Sequence, residues 1–164
     1  MGERRRELRH GRGSARGRTS TDLPAVIVNG DHSNWNRDDM SKASAGGSQG
    51  GICLTFGQLE VGSYAGSTRI ENSLIHDRGL STNRSQGIYV QATSGRTLIR
   101  NNWIFRNGDR GIQLDPAASN VVVTHNVIDG NGSGVIFSGD GTNMSSDNTV
   151  VGVPGPRGAI VGRG

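Results

Sequence analysis

The chain has 164 residues, of which 32% are apolar, 4% are aromatic and 27 are glycine, a composition too thin in large apolar side chains for a conventional globular core and without the Gly-X-Y period of collagen. The formal charge of +4 is gathered at one end. Arg4, Arg5, Arg6, Arg9, Arg12, Arg16 and Arg18 against Glu3 and Glu7 put residues 1–18 at +5 and everything after them at −1, so the body carries no electrostatic footprint for DNA or RNA and no nucleic-acid partner is expected.

In chain order, residues 1–21 read as a basic, solvated and disordered tail. Leu8 is the only large apolar residue between Met1 and Leu23, so no signal-peptide core is visible. No run in the sequence approaches the roughly 18 apolar residues of a membrane span. Cys53 is the single cysteine, which rules out an internal disulfide. Residues 22–45 read as a partial coil and loop ahead of a repeat, and Gly51-Ile52-Cys53-Leu54 reads as the first strand of a recurring kind.

The repeat then becomes explicit. Thr97-Leu98-Ile99-Arg100-Asn101-Asn102-Trp103-Ile104-Phe105-Arg106-Asn107-Gly108 matches the segment from Val121 to Gly132 at a shift of 24, and the segment from Thr68 to Gly79 at a shift of 29. After each comes a second short strand: Gly87-Ile88-Tyr89-Val90, Gly111-Ile112-Gln113-Leu114 and Gly134-Val135-Ile136-Phe137. The longer shift reflects an insertion at Leu80–Gln86. A period near 24 residues is too short for a βαβ unit and lacks a helical apolar pattern, so it predicts coils of about three short strands stacked on one another.

Alternation assigns the faces. Ile70, Ile99 and Val123 are expected inside, as are Ile75, Ile104 and Ile128, then Ile88, Ile112 and Val135 with Val90, Leu114 and Phe137. Arg69, Leu98, Val122, Tyr89, Gln113 and Ile136 are expected outside. Ser73, Asn102 and Asn126 share one position at a bend, where stacked amides can form a ladder and where Asn tolerates a left-handed backbone. Residues 22–152 are thus read as the repeat domain, with four to five coils over about 45–152, and residues 153–164 as a Gly/Pro-rich truncated end. An uncapped solenoid exposes apolar coil ends, so a fragment of a longer protein, able to self-associate, is expected.

These residues resemble the right-handed parallel β-helix repeat family of the pectate-lyase-like superfamily. More narrowly they resemble bacterial, often actinobacterial, exported repeat proteins, over residues 23–152. The resemblance implies an all-β solenoid, a location outside the cell or on its surface, and a polysaccharide or cell-surface glycan as partner. In similar sequences a His-Asp-His-type cluster often precedes the strand after the inserted loop. Here that stretch is Asn83-Arg84-Ser85-Gln86-Gly87, which lacks those groups.

Two functional readings follow from different classes. The first is a carbohydrate-interacting, non-catalytic scaffold. The second is a polysaccharide lyase or epimerase acting on an acidic polymer, or less directly a glycoside hydrolase. For a lyase, Asp77 over Arg106 and Glu71 over Arg100, with His76 beside them, are the candidate catalytic set, because the resemblance implies an arginine base and a cation such as Ca2+ on the uronate carboxylate. As a surface feature the same residues are an ion-pair ladder. A hydrolase needs two carboxylates facing one groove, and no two acids are expected to share an outward stack in adjacent coils.

Asp129, Asn131, Ser133 and Asp140, with Gly134, have calcium-loop spacing, but Val135–Phe137 must be a core strand where such a loop would curl. No cofactor is otherwise evident. Asp109-Arg110 and Asp115-Pro116 read as turns, and His125 as a solvated surface group. Tyr89 and Trp103 on the outside are candidate platforms for sugar rings.

Overall fold

The structure, a computed structural model, describes residues 26–42, 51–79, 85–152 and 160–162. The sequence readings for residues 1–21, most of 153–164 and the bulk of the insertion at 80–84 lie outside these residues. The first coil holds β1 (Val26–Val28), β2 (Asn34–Asn36) and β3 (Asp39–Lys42). In the second, β4 (Leu54–Phe56) leads through a 3-10 turn at Leu59–Val61 to β5 (Arg69–Glu71) and β6 (Leu74–Arg78). The third has β7 (Ile88–Ala92), β8 (Thr97–Arg100) and β9 (Trp103–Phe105), and the fourth β10 (Arg110–Ala117), β11 (Val121–Thr124) and β12 (Val127–Asp129). The fifth contributes β13 (Ser133–Phe137) and β14 (Thr149–Val151), and β15 (Ile160–Gly162) opens a further turn.

Strands from successive coils pair in parallel to make three sheets: A, in the order β1-β4-β7-β10-β13-β15; B, in the order β14-β11-β8-β5-β2; and C, in the order β12-β9-β6-β3. Strands of three to five residues, with β10 longer at eight, rich in β-branched and aliphatic side chains, suit this arrangement, because each buries one face against the other two sheets while the inner strands of each sheet are paired on both sides.

The interior is a set of columns. Ile70, Ile99 and Val123 stand in register in sheet B, and Ile75, Ile104 and Ile128 in sheet C. Sheet A supplies Leu54, Ile88, Ile112 and Val135, and beside them Phe56, Val90, Leu114 and Phe137. All are buried except Phe137, which is partly buried against the cluster.

Several expectations need correction. Residues 26–42 are a three-strand coil rather than a partial one. Leu54, not Ile52, pairs with Ile88, so Cys53 takes the place of Gly87; the alternation of Leu54 and Phe56 fills the interior, which a strand centred on Ile52 would not. The repeat also passes residue 152, since β15 pairs with β13. Asp115-Pro116 lies within β10, where the register with β7 shifts between Leu114 and Ala117. Gln113 points outward by alternation yet is buried, because Gln86, Arg110 and Asp115 close over its amide with hydrogen bonds of 2.8, 3.0 and 3.0 Å.

The corner between sheets B and C is two residues long in each of the first four coils. Its first residue is left-handed: Arg37 (φ 62°), Asn72 (55°), Asn101 (56°) and His125 (52°), as is Gly152 (59°) after β14. The left-handed backbone thus falls one residue before the ladder position, where short polar side chains are favoured for their local hydrogen bonding. The second residue turns inward. Asn126 Oδ1 accepts from the backbone N–H and Nδ2 of Asn102, both at 2.9 Å. Asn102 Oδ1 in turn accepts from the Ser73 N–H at 3.0 Å. The amides of Asn102 and Asn126 also donate to the carbonyls of Ile70 and Ile99. Buried side-chain amides are tolerated here because their donors and acceptors are matched coil to coil.

Candidate functional site

The outward positions of sheet C carry the chemistry. Alternation that buries Ile75, Ile104 and Ile128 turns Leu74, Trp103 and Val127 outward in one register, with His76, Phe105 and Asp129 in the next. Trp103 is 51% exposed, Val127 40% and Leu74 37%. Phe105 supports the indole at 4.9 Å between ring centroids. It also stacks on His76 at 4.6 Å with the planes 9° apart, and the Arg106 guanidinium lies 4.8 Å from its centroid.

At the far end of this face four polar side chains are tied together. Arg106 donates through Nε and a terminal nitrogen to both oxygens of Asp77, each at 2.7 Å, a bidentate fork of fixed geometry. His76 Nδ1 lies 2.6 Å from Asp77 Oδ2 and Nε2 lies 2.9 Å from Asp39 Oδ1. Arg106 and then His76 hold the Asp77 carboxyl well below the usual carboxylate range, and the Asp77 bond pushes the Arg106 guanidinium up. Both shifts deepen the charged states. A general base would need Arg106 shifted the other way.

The candidate catalytic residues therefore separate into two groups. His76, Asp77 and Arg106 come together at the C-terminal ends of the sheet C strands. Glu71 and Arg100 pair at the corner with sheet B, Arg100 lying 2.6 Å from Glu71 Oε1 and Arg69 3.9 Å from its other oxygen. Asp39 was absent from the sequence reading, and it changes one expectation: two acids from adjacent coils, Asp39 and Asp77, do face one group, the His76 imidazole. Asp39-Met40-Ser41-Lys42 has a single large apolar residue, so its match to Leu74–Arg78 leaves almost no trace in the sequence. The signal for the outward aromatic Phe105 was the alternation itself.

The calcium-loop spacing does not gather its side chains. Asn131 Oδ1 accepts from the backbone and side chain of Asn107 at 3.0 and 2.9 Å, and Asn131 Nδ2 donates to the Ile104 carbonyl. Asp140 accepts instead from Thr142 and Asn143 in its own turn, which lowers its pKa to about 2, chiefly through the Asn143 amide. Among the described residues no three His, Cys, Asp or Glu side chains converge as metal ligands. No helix among them is long and apolar enough to cross a membrane.

Elsewhere, Tyr89 is half-buried on sheet A, 3.5 Å from Asp115, and burial and then the Asp115 charge push its phenol up. Of the two aromatics expected as sugar platforms, Trp103 is open and Tyr89 is not. His125 is exposed and left-handed, with Nδ1 2.7 Å from the Thr124 hydroxyl. The pair Asp109–Arg110 is joined at 3.0 Å.

Residues 27–163 match the family described as a right-handed beta helix region. The chain belongs to that family. No curated protein and no solved structure matches it. In this right-handed β-helix the exposed aromatic face and the Asp39–His76–Asp77–Arg106 cluster both lie on sheet C, and the buried polar group around Gln113 lies on sheet A.

Proposed function

We propose that this β-helix is a carbohydrate-interacting scaffold and that it works by binding rather than by catalysis. The observation that carries the reading is Trp103, a half-exposed indole on a rigid parallel sheet, braced by Phe105. An aromatic plane of this kind packs on the apolar C–H face of a pyranose, while polar groups at the rim meet the hydroxyls. The two arginines and the histidine around it are already engaged with carboxylates, which suits a fixed binding surface better than proton transfer. Location outside the cell belongs to the same reading.

The experiment is retention of the full chain on pectin, polygalacturonate, alginate, glycosaminoglycans and neutral polysaccharides, with and without Ca2+. Unsaturated uronate absorbance and reducing ends are followed in the same samples. Retention without product supports the scaffold. Product that disappears with Arg100→Ala or Arg106→Ala would replace it with a lyase, and new reducing ends without unsaturation would replace it with a hydrolase.

A further inference from the structure

The carbohydrate reading leaves open which class of polymer the sheet C face takes, and the charges around Trp103 bear on this. Three residues before Trp103 stands Arg100 and three after stands Arg106. These are the cations placed to meet a uronate or sulfate group lying on the indole. Each is already closed by a carboxylate: Arg100 by Glu71 at 2.6 Å, Arg106 by both oxygens of Asp77 at 2.7 Å. The bidentate pair commits the Nε edge of Arg106 and balances its charge, so a second carboxylate would meet only the remaining N–H edge of a neutralised pair.

The remaining charge on this face is negative. Asp39 and Asp129 occupy outward positions of sheet C, and Asp39 shares His76 with Asp77. An anionic chain laid across the stripe would meet Asp39 and Asp129, and like charges brought together on a partly desolvated surface oppose binding. The apolar part is long in one direction: Leu74, Trp103 and Val127 stand in register across three coils, about 10 Å at the strand spacing. This is a narrow strip rather than a pocket, and it fits a chain lying across the strands.

Building on the carbohydrate reading, we propose that the outer face of sheet C, centred on Trp103 and flanked by Leu74 and Val127, binds a neutral polysaccharide and discriminates against polyuronates. The carboxylates of Asp39 and Asp129 act as hydrogen-bond acceptors for sugar hydroxyls and as the repulsive element against acidic chains.

The test is affinity electrophoresis of the folded full chain in gels containing mixed-linkage glucan, xylan, galactomannan, polygalacturonate or alginate. Trp103→Ala and Trp103→Tyr are run alongside, and circular dichroism confirms that both fold. Expected is retardation by at least one neutral polymer, weakened about tenfold by Trp103→Ala and largely kept by Trp103→Tyr. Retardation by polygalacturonate or alginate alone, relieved by about 0.5 M salt, would overturn the neutral-polymer inference while leaving the carbohydrate reading standing. Neutral-polymer binding unmoved by Trp103→Ala would overturn the site, and no retardation in any gel would overturn both readings.

Discussion

Asn107 gives both its backbone N–H and its side-chain amide to one oxygen, Asn131 Oδ1, a coil further along. Its Nδ2 also reaches back to the Ile75 carbonyl at 3.2 Å. This is a second ladder, at the end of sheet C opposite the one through Asn102 and Asn126. The residues before its members are again left-handed: Asp77 and Arg106 (φ 52° each) and Gly130 (φ 60°). In the second coil the ladder position is Arg78, whose buried guanidinium donates to the carbonyls of Gly51 and Ile52, with burial holding its pKa below the usual value.

The two residues of each corner have different jobs, and substitutions should separate them. Asn102→Ala leaves the Ser73 N–H and the Ile70 carbonyl without their partner inside the coil, a loss of about 2–4 kcal/mol. Asn101→Gly removes only an exposed side chain from a left-handed position and should change stability by less than about 0.5 kcal/mol. Urea midpoints of the two variants read the difference directly; equal midpoints would mean that the ladder contributes no stability.

Gly111 is packed against the second ladder. A Cβ there would lie 2.6 Å from Ile128 Cγ2 and 3.2 Å from Asn131 Nδ2. Gly111→Ala should therefore cost about 1–3 kcal/mol through overpacking. Gly141→Ala meets nothing within 4 Å and should be neutral. Thermal melts of both variants make the comparison, and a neutral Gly111→Ala would show that the coil yields at this point.

Asp77 has a depressed pKa, so its contribution to stability is fully present above its ordinary value of 3.8 and is lost as the pH falls below that value toward the lower one in the folded protein. The group is partly exposed, which limits the effect at neutral pH to under about 1 kcal/mol. Asn suits the left-handed backbone of position 77, making Asp77→Asn a clean comparison. Its deficit against the unsubstituted protein should shrink as urea titrations move from neutral pH to below 3.8; a deficit independent of pH would assign the effect to something other than the ion pair.

Calcium provides a fourth check. With Asn131 committed to Asn107 and Asp140 to its own turn, millimolar Ca2+ should leave the melting temperature unchanged. A rise abolished by Asp129→Asn or Asp140→Asn would show that these side chains rearrange around the ion.

The core columns were legible because each interior position is the same kind of residue one period on. Ile75, Ile104 and Ile128 need only the shift and the alternation. The second ladder was present in the same alignment, as Arg78, Asn107 and Asn131, but the arginine in one member hid it. Geometry outside the repeat was less visible. Asp39 reaches His76 only because a coil with weak apolar pattern pairs with the next, and Gln113 is covered by residues that the alternation of a single strand says nothing about. The left-handed residue was misplaced by one because Asn72-Ser73, Asn101-Asn102 and His125-Asn126 each offer two polar candidates, and only backbone angles tell which one bends.

The two-residue corner between sheets B and C keeps its length through the first four coils, whereas the passage from sheet A to sheet B ranges from three residues between β10 and β11 to twelve between β4 and β5. New sequence can therefore be spliced at the A–B edge without moving the Trp103 face, since the sheet C strands take their alignment from the B–C corner. A whole coil can serve as a unit of engineering: duplicating the stretch that carries Trp103 would lay a second indole beside the first and lengthen the strip by one strand spacing.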